Sequence, residues 1–90
     1  MSIREDIAVR LIEERARLGF SQSDFARQLE VSAEAVRRYE NGQREAGVEF
    51  LAKTAGLGVD VQYVLTGIKS ENLAKAEKAS QPLVHIENGG

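Results

Sequence analysis

The sequence predicts an all-α domain of five helices followed by a short C-terminal tail. Three observations carry that prediction. Apolar residues recur at helical spacing through the first 67 residues. Capping residues and glycines punctuate them in a regular order. No run before Gly67 alternates as a half-buried strand does.

The first helix is expected over residues 3–18, where Ile3, Ile7, Leu11 and Leu18 form a stripe that Ala8 and Ile12 widen. Glu13 and Glu14 fall on its outer face, and Gly19 closes it with a left-handed residue. Ser21 opens the second helix, with Asp24 three residues on as a reciprocal capping partner. Phe25, Ala26 and Leu29 give that helix an inner face up to about residue 30. Ser32 caps a third helix that carries Val36, Tyr39 and Glu40 and stops at Asn41-Gly42, with Tyr39 expected to pack against the first helix. A polar loop leads to a fourth helix over residues 48–57, and Asp60 caps a fifth that ends at Thr66-Gly67.

Beyond Gly67 the composition shifts, so the chain divides into a domain over residues 1–67 and a tail over residues 68–90. Residues 70–79 are rich in alanine, lysine and glutamate and suit a helix, which Gln81-Pro82 would break. Leu83, Val84, His85 and Ile86 form a short β-prone run before the turn signal Asn88-Gly89. A lone strand is marginal in water. The run is therefore expected either to pair with a second subunit or to stay disordered in the free protein.

Composition excludes much chemistry. Cysteine is absent from the 90 residues, which removes disulfides, thiolate metal sites and cysteine nucleophiles. One histidine makes a catalytic triad or a histidine-rich metal site a poor expectation. The 14 carboxylates are dispersed, and no glycine-rich phosphate loop is present. No apolar run is long enough to span a membrane, and Arg4, Glu5 and Asp6 near the start argue against a signal peptide. The expectation is a cytoplasmic protein with no enzymatic activity, metal or cofactor. The net charge of −2 hides a local excess: Arg37, Arg38 and Arg44 face Glu40 alone over residues 37–44. Eight of the nine cations before residue 68 are arginines, suited to two-point contacts with phosphate, guanine or carboxylate.

Two short helices tightly joined within a five-helix domain describe a helix-turn-helix DNA-binding unit. The residues Ser21-Gln22-Ser23-Asp24-Phe25-Ala26, Leu29-Glu30-Val31-Ser32, Val36, Tyr39-Glu40-Asn41-Gly42 and Tyr63-Val64-Leu65-Thr66-Gly67 carry a closer likeness. In that order and spacing, over about residues 8–67, the chain resembles the phage Cro/C1-repressor (XRE) family, with its lambda-repressor-like fold. The resemblance implies that Ala33, Glu34, Arg37 and Arg38 read base edges from the third helix. It also implies that Asn41 and Arg44 hold the DNA backbone. Gln22, at the N-terminal end of helix two, is placed to grip a phosphate beside free backbone N–H groups.

The chain departs from the family pattern at Glu30, where a glycine is usual in the turn, and at Ala46-Gly47, where a proline is frequent. Glu34 is also unusual on a surface that meets a polyanion. It is expected either to accept from a cytosine amino group or to act as an N-terminal acid of its helix.

Arg15 lies on the apolar stripe of helix one and Glu40 on the inward stripe of helix three. A buried charge left alone is costly, so the two are expected to pair, as the resemblance also implies. The resemblance further implies a homodimer acting on double-stranded DNA, most simply as a repressor on a palindromic operator. Val61 and Val64 match family positions near a dimer contact, and Leu83, Val84 and Ile86 are the alternative interface. No membrane and no small-molecule ligand is implied. Two other readings stay open: an antitoxin-like protein whose tail binds a partner, and the N-terminal part of a longer regulator.

Overall fold

The computed structural model describes residues 2–70. All but the first residue of the expected tail helix, and the β-prone residues Leu83, Val84, His85 and Ile86, lie outside them. Five helices follow in order: α1 Ile3–Arg17, α2 Gln22–Leu29, α3 Ala33–Glu40, α4 Val48–Gly56 and α5 Val61–Thr66. There is no strand among the described residues.

Four of the five helices start where a side chain satisfies an otherwise orphaned backbone N–H. Ser21, Ser32 and Asp60 cap α2, α3 and α5 by accepting from the N–H three residues ahead. Ser2 caps α1 in a full capping box with Glu5, which the sequence reading did not anticipate. The reciprocal partner proposed for Ser21 is turned elsewhere: Asp24 pairs through its carboxylate with Arg27. α4 alone starts from a glycine, Gly47, with no side-chain cap.

The turn between α2 and α3 is built on Glu30, Val31 and Ser32. Glu30 takes the left-handed conformation, φ 61° and ψ 41°, in which the family favours glycine. The N–H of Val31 returns to the Ala26 carbonyl at 3.0 Å, closing α2 in the Schellman manner. This geometry turns the chain within three residues. Val31 half-buries its side chain against the core, and Ala26 is small where α2 meets α3.

Leu11, Phe25, Leu29, Val36 and Val64 are the fully enclosed centre of the core, with Phe50, Leu51 and Val59 beside them. α1 underlies both α3 and α5, while α2 packs on α3 and α4.

Several expectations about faces need correction. Ile3 is 77% exposed and Ile12 more than a third exposed, so the α1 stripe is narrower than the periodicity suggests. Glu14, expected on the outside, is only 4% exposed. Its carboxylate takes two bonds from Arg17, at 2.9 and 2.7 Å, and one from the Asp60 N–H at 2.8 Å. Arg17 also reaches the Gly58 carbonyl, which ties α1 to the α4–α5 turn. Tyr39 stacks on Phe50 of α4, with centroids 3.8 Å apart, a partner the periodicity did not reveal.

Candidate nucleic-acid interface

α3 separates its residues cleanly by face. Val36, Tyr39 and Glu40 are buried, whereas Ala33, Glu34, Arg37 and Arg38 are exposed. With 3.6 residues per turn, the exposed four share one side of the helix. The Glu34 carboxylate lies between the two guanidinium groups. Oε1 pairs with Arg37 Nη2, and Oε2 with Arg38 Nε at 3.2 Å. All three side chains are about half exposed. Neither sequence-level reading of Glu34 included this bridge, although the i,i+3 and i,i+4 spacing was visible.

Two further elements border that face. At the start of α2, the Ser21 hydroxyl takes the Asp24 N–H at 3.0 Å, so the N–H groups of Gln22 and Ser23 have no acceptor within the helix. Gln22 is half-buried, and its amide donates to Glu40 Oε1 at 2.9 Å. One N–H of that amide is therefore committed inward and the other stays available. Past α3, Asn41 is exposed and folds its Oδ1 back to accept from the Gln43 N–H at 3.0 Å. Its own amide donors are left unused by that bond. The N–H of Arg44 donates to the Arg38 carbonyl, and its guanidinium sits 5.1 Å from the Tyr39 ring centroid. Stacking on Tyr39 fixes the base of an otherwise exposed cation.

Glu40 is the anchor beneath these groups. Its carboxylate is almost fully buried and accepts Arg15 at two points, Nε at 2.7 Å and Nη2 at 3.2 Å. Arg15 completes its fork on the Phe20 carbonyl at 2.8 Å. No buried side-chain polar atom among the described residues lacks a partner.

The dimer candidates divide. Val61 is half-buried against the core. Val64 is 0% exposed, so its side chain belongs to the protomer's own core and is not available to a partner, a correction to its assignment. Its position two-thirds of the way through a short helix gave no sign of which side faces α1. Leu83, Val84 and Ile86 lie outside the described residues. No group of three or more potential metal ligands converges among the described residues, and no helix there is long and apolar enough to cross a membrane.

A short capped helix, a three-residue turn and an outward-facing arginine-bearing helix define the helix-turn-helix class of DNA-binding regulators. The pattern of the helix-turn-helix family matches residues 11–64, and the chain belongs to that family, of the Cro/C1 (XRE) type. Its structure is similar to the crystal structure of the clp gene regulator ClgR from Corynebacterium glutamicum. The TM-score is 0.66 at 27% sequence identity, over 91% of this chain and 97% of that one. No curated protein shows significant sequence similarity to it.

Proposed function

We propose that the protein is a sequence-specific transcriptional repressor that binds a palindromic operator as a homodimer. α3 lies in the major groove, with Arg37 and Arg38 toward base edges. The α2 N-terminus, Gln22, Asn41 and Arg44 hold the phosphates on either side. The observation that carries this reading is the division of α3. Its four outward residues make no core contact, while its inward residues fasten it to α1 through Glu40 and to α4 through Tyr39. A helix held so firmly on one side and so free on the other suits a reader pressed into a groove.

Selection of bound sequences from random duplex DNA, followed by footprinting, tests the reading. The expected product is two inverted half-sites whose centres lie about 34 Å apart along the duplex, one helical turn. Sedimentation of the full chain with that duplex should give two protomers per site. Failure to enrich any sequence, or enrichment of an unpaired half-site bound by one protomer, overturns the proposal. Loss of reporter expression from a promoter overlapping the site distinguishes repression from activation.

A further inference from the structure

We propose that Glu34 is a positioning residue for sequence readout. Its carboxylate holds Arg38 ready for a two-point contact with guanine, and it keeps both arginines from acting as free phosphate-binding cations. This inference rests on α3 being the recognition helix.

The atoms used in the bridge make the two arginines inequivalent. A guanidinium can offer two parallel N–H groups from its terminal edge, Nη1 with Nη2, or from its side edge, Nε with Nη2. Arg38 meets Glu34 through Nε, so its terminal edge remains whole. It can take guanine O6 and N7 without leaving the carboxylate. Arg37 meets Glu34 through Nη2, the nitrogen that both edges share. A two-point base contact by Arg37 therefore competes with the bridge, whereas one by Arg38 does not.

The bridge also changes the charge that DNA meets. Two cations and one anion share the face, and a guanidinium held on a carboxylate is less free to swing toward whichever phosphate is near. Phosphate contacts raise affinity for every sequence and carry no sequence information. Restricting them widens the gap between the right site and all others, at some cost in affinity. Holding Arg38 in one arrangement also removes part of the ordering cost of the base contact. The position suits the role. Glu34 sits in the first turn of α3, where the helix dipole favours a carboxylate, and it precedes its partners in the favourable order. Both contacts stay within α3, so a change at Glu34 leaves the core intact.

The test compares the full native chain with Glu34→Gln on the selected duplex and on a scrambled duplex of the same composition, over a range of salt. Thermal unfolding within a few degrees of native serves as the check on folding. The expected result is that Glu34→Gln tightens scrambled binding by roughly threefold to tenfold and steepens its salt dependence by up to about one unit. The ratio of selected to scrambled affinity falls by about tenfold. In an Arg38→Ala background, Glu34→Gln should change that ratio by no more than about twofold, because the carboxylate acts mainly through Arg38. An unchanged or larger ratio overturns the proposal. So does loss of preference at a single cytosine with scrambled binding unaltered, which makes Glu34 a direct reader. If the native chain itself does not distinguish the two duplexes, the recognition-helix reading fails, and it fails before any substitution is made.

Discussion

Arg15 and Glu40 meet edge to edge inside the domain, and Gln22 closes on the same carboxylate from the start of α2. One buried group thus joins α1, the N-terminal end of α2 and the last residue of α3. The relative placement of the two helices of the motif depends on it.

Arg15→Ala should therefore be among the most damaging single changes. It strips the paired cation from a carboxylate whose side chain is 3% exposed, at an expected cost of about 3–5 kcal/mol. Replacing both residues with apolar ones of similar volume should cost much less, because no buried charge is then left alone. Urea denaturation of the two variants measures the difference. A loss below about 1 kcal/mol for Arg15→Ala would show that the pair does not hold the domain together.

The residues proposed to face DNA should separate by mechanism in mutant binding data. Arg38→Ala should weaken the best site by about 1–3 kcal/mol and relax preference at one base pair. Arg44→Ala should weaken all sequences alike and lower the salt slope by about one unit. Gln22→Ala should also act on all sequences alike with little change in slope, since the side chain is uncharged. Because Gln22 donates to Glu40, that change should lower stability as well, by about 1.5–3 kcal/mol for a lost bond to a charged group. Binding titrations at several salt concentrations resolve these cases.

Acid should weaken the join between α1 and the α4–α5 turn. The Arg17 guanidinium holds the Glu14 carboxyl below its usual range despite burial, helped by the Asp60 N–H. Burial pushes the Asp60 carboxyl up, but bonds from Ser70 and the Tyr63 N–H bring it lower on balance. A carboxyl depressed in the folded state contributes stability that is present above its unfolded pKa, about 4. That contribution is lost as pH falls through the lower folded value. Unfolding midpoints should thus hold level near neutrality and fall below about pH 4. Glu14→Gln should flatten part of that fall while lowering stability at pH 7. Parallel acid curves for the two proteins would contradict this assignment.

Glu30→Gly should stabilise the protein. The left-handed conformation costs a residue with a side chain about 1–2 kcal/mol, and glycine's extra freedom in the unfolded chain returns about half of that. A net gain of about 0.5–1 kcal/mol in urea unfolding is expected, with DNA binding unchanged.

Most of the architecture was legible because local chemistry dictates it. Ser21, Ser32 and Asp60 start helices, and Gly19 and Gly67 end them in left-handed conformations whatever the surroundings. The Arg15–Glu40 contact was also legible, since two opposite charges on two apolar stripes have few other destinations. Glu14 was legible only in part. Its place three residues after Leu11 and four before Leu18 put it on the apolar stripe, unlike its exposed neighbour Glu13, but the Asp60 N–H that it accepts lies 46 positions away. The Tyr39 stack on Phe50 was hidden for a different reason: periodicity shows that a residue faces inward, but not every helix it meets there. Glu34 was judged by its charge against DNA, when its neighbours three and four residues on were the nearer partners.

The partition of α3 has a consequence for descent. Ala33, Glu34, Arg37 and Arg38 lie outside the core, so on the proposed reading substitutions there would alter the address the protein reads with little penalty in folding. Val36, Tyr39 and Glu40 have no such latitude. A lineage can therefore drift from one target to another along a path on which every intermediate still folds. Only four positions need to change, and the scaffold beneath them stays the same.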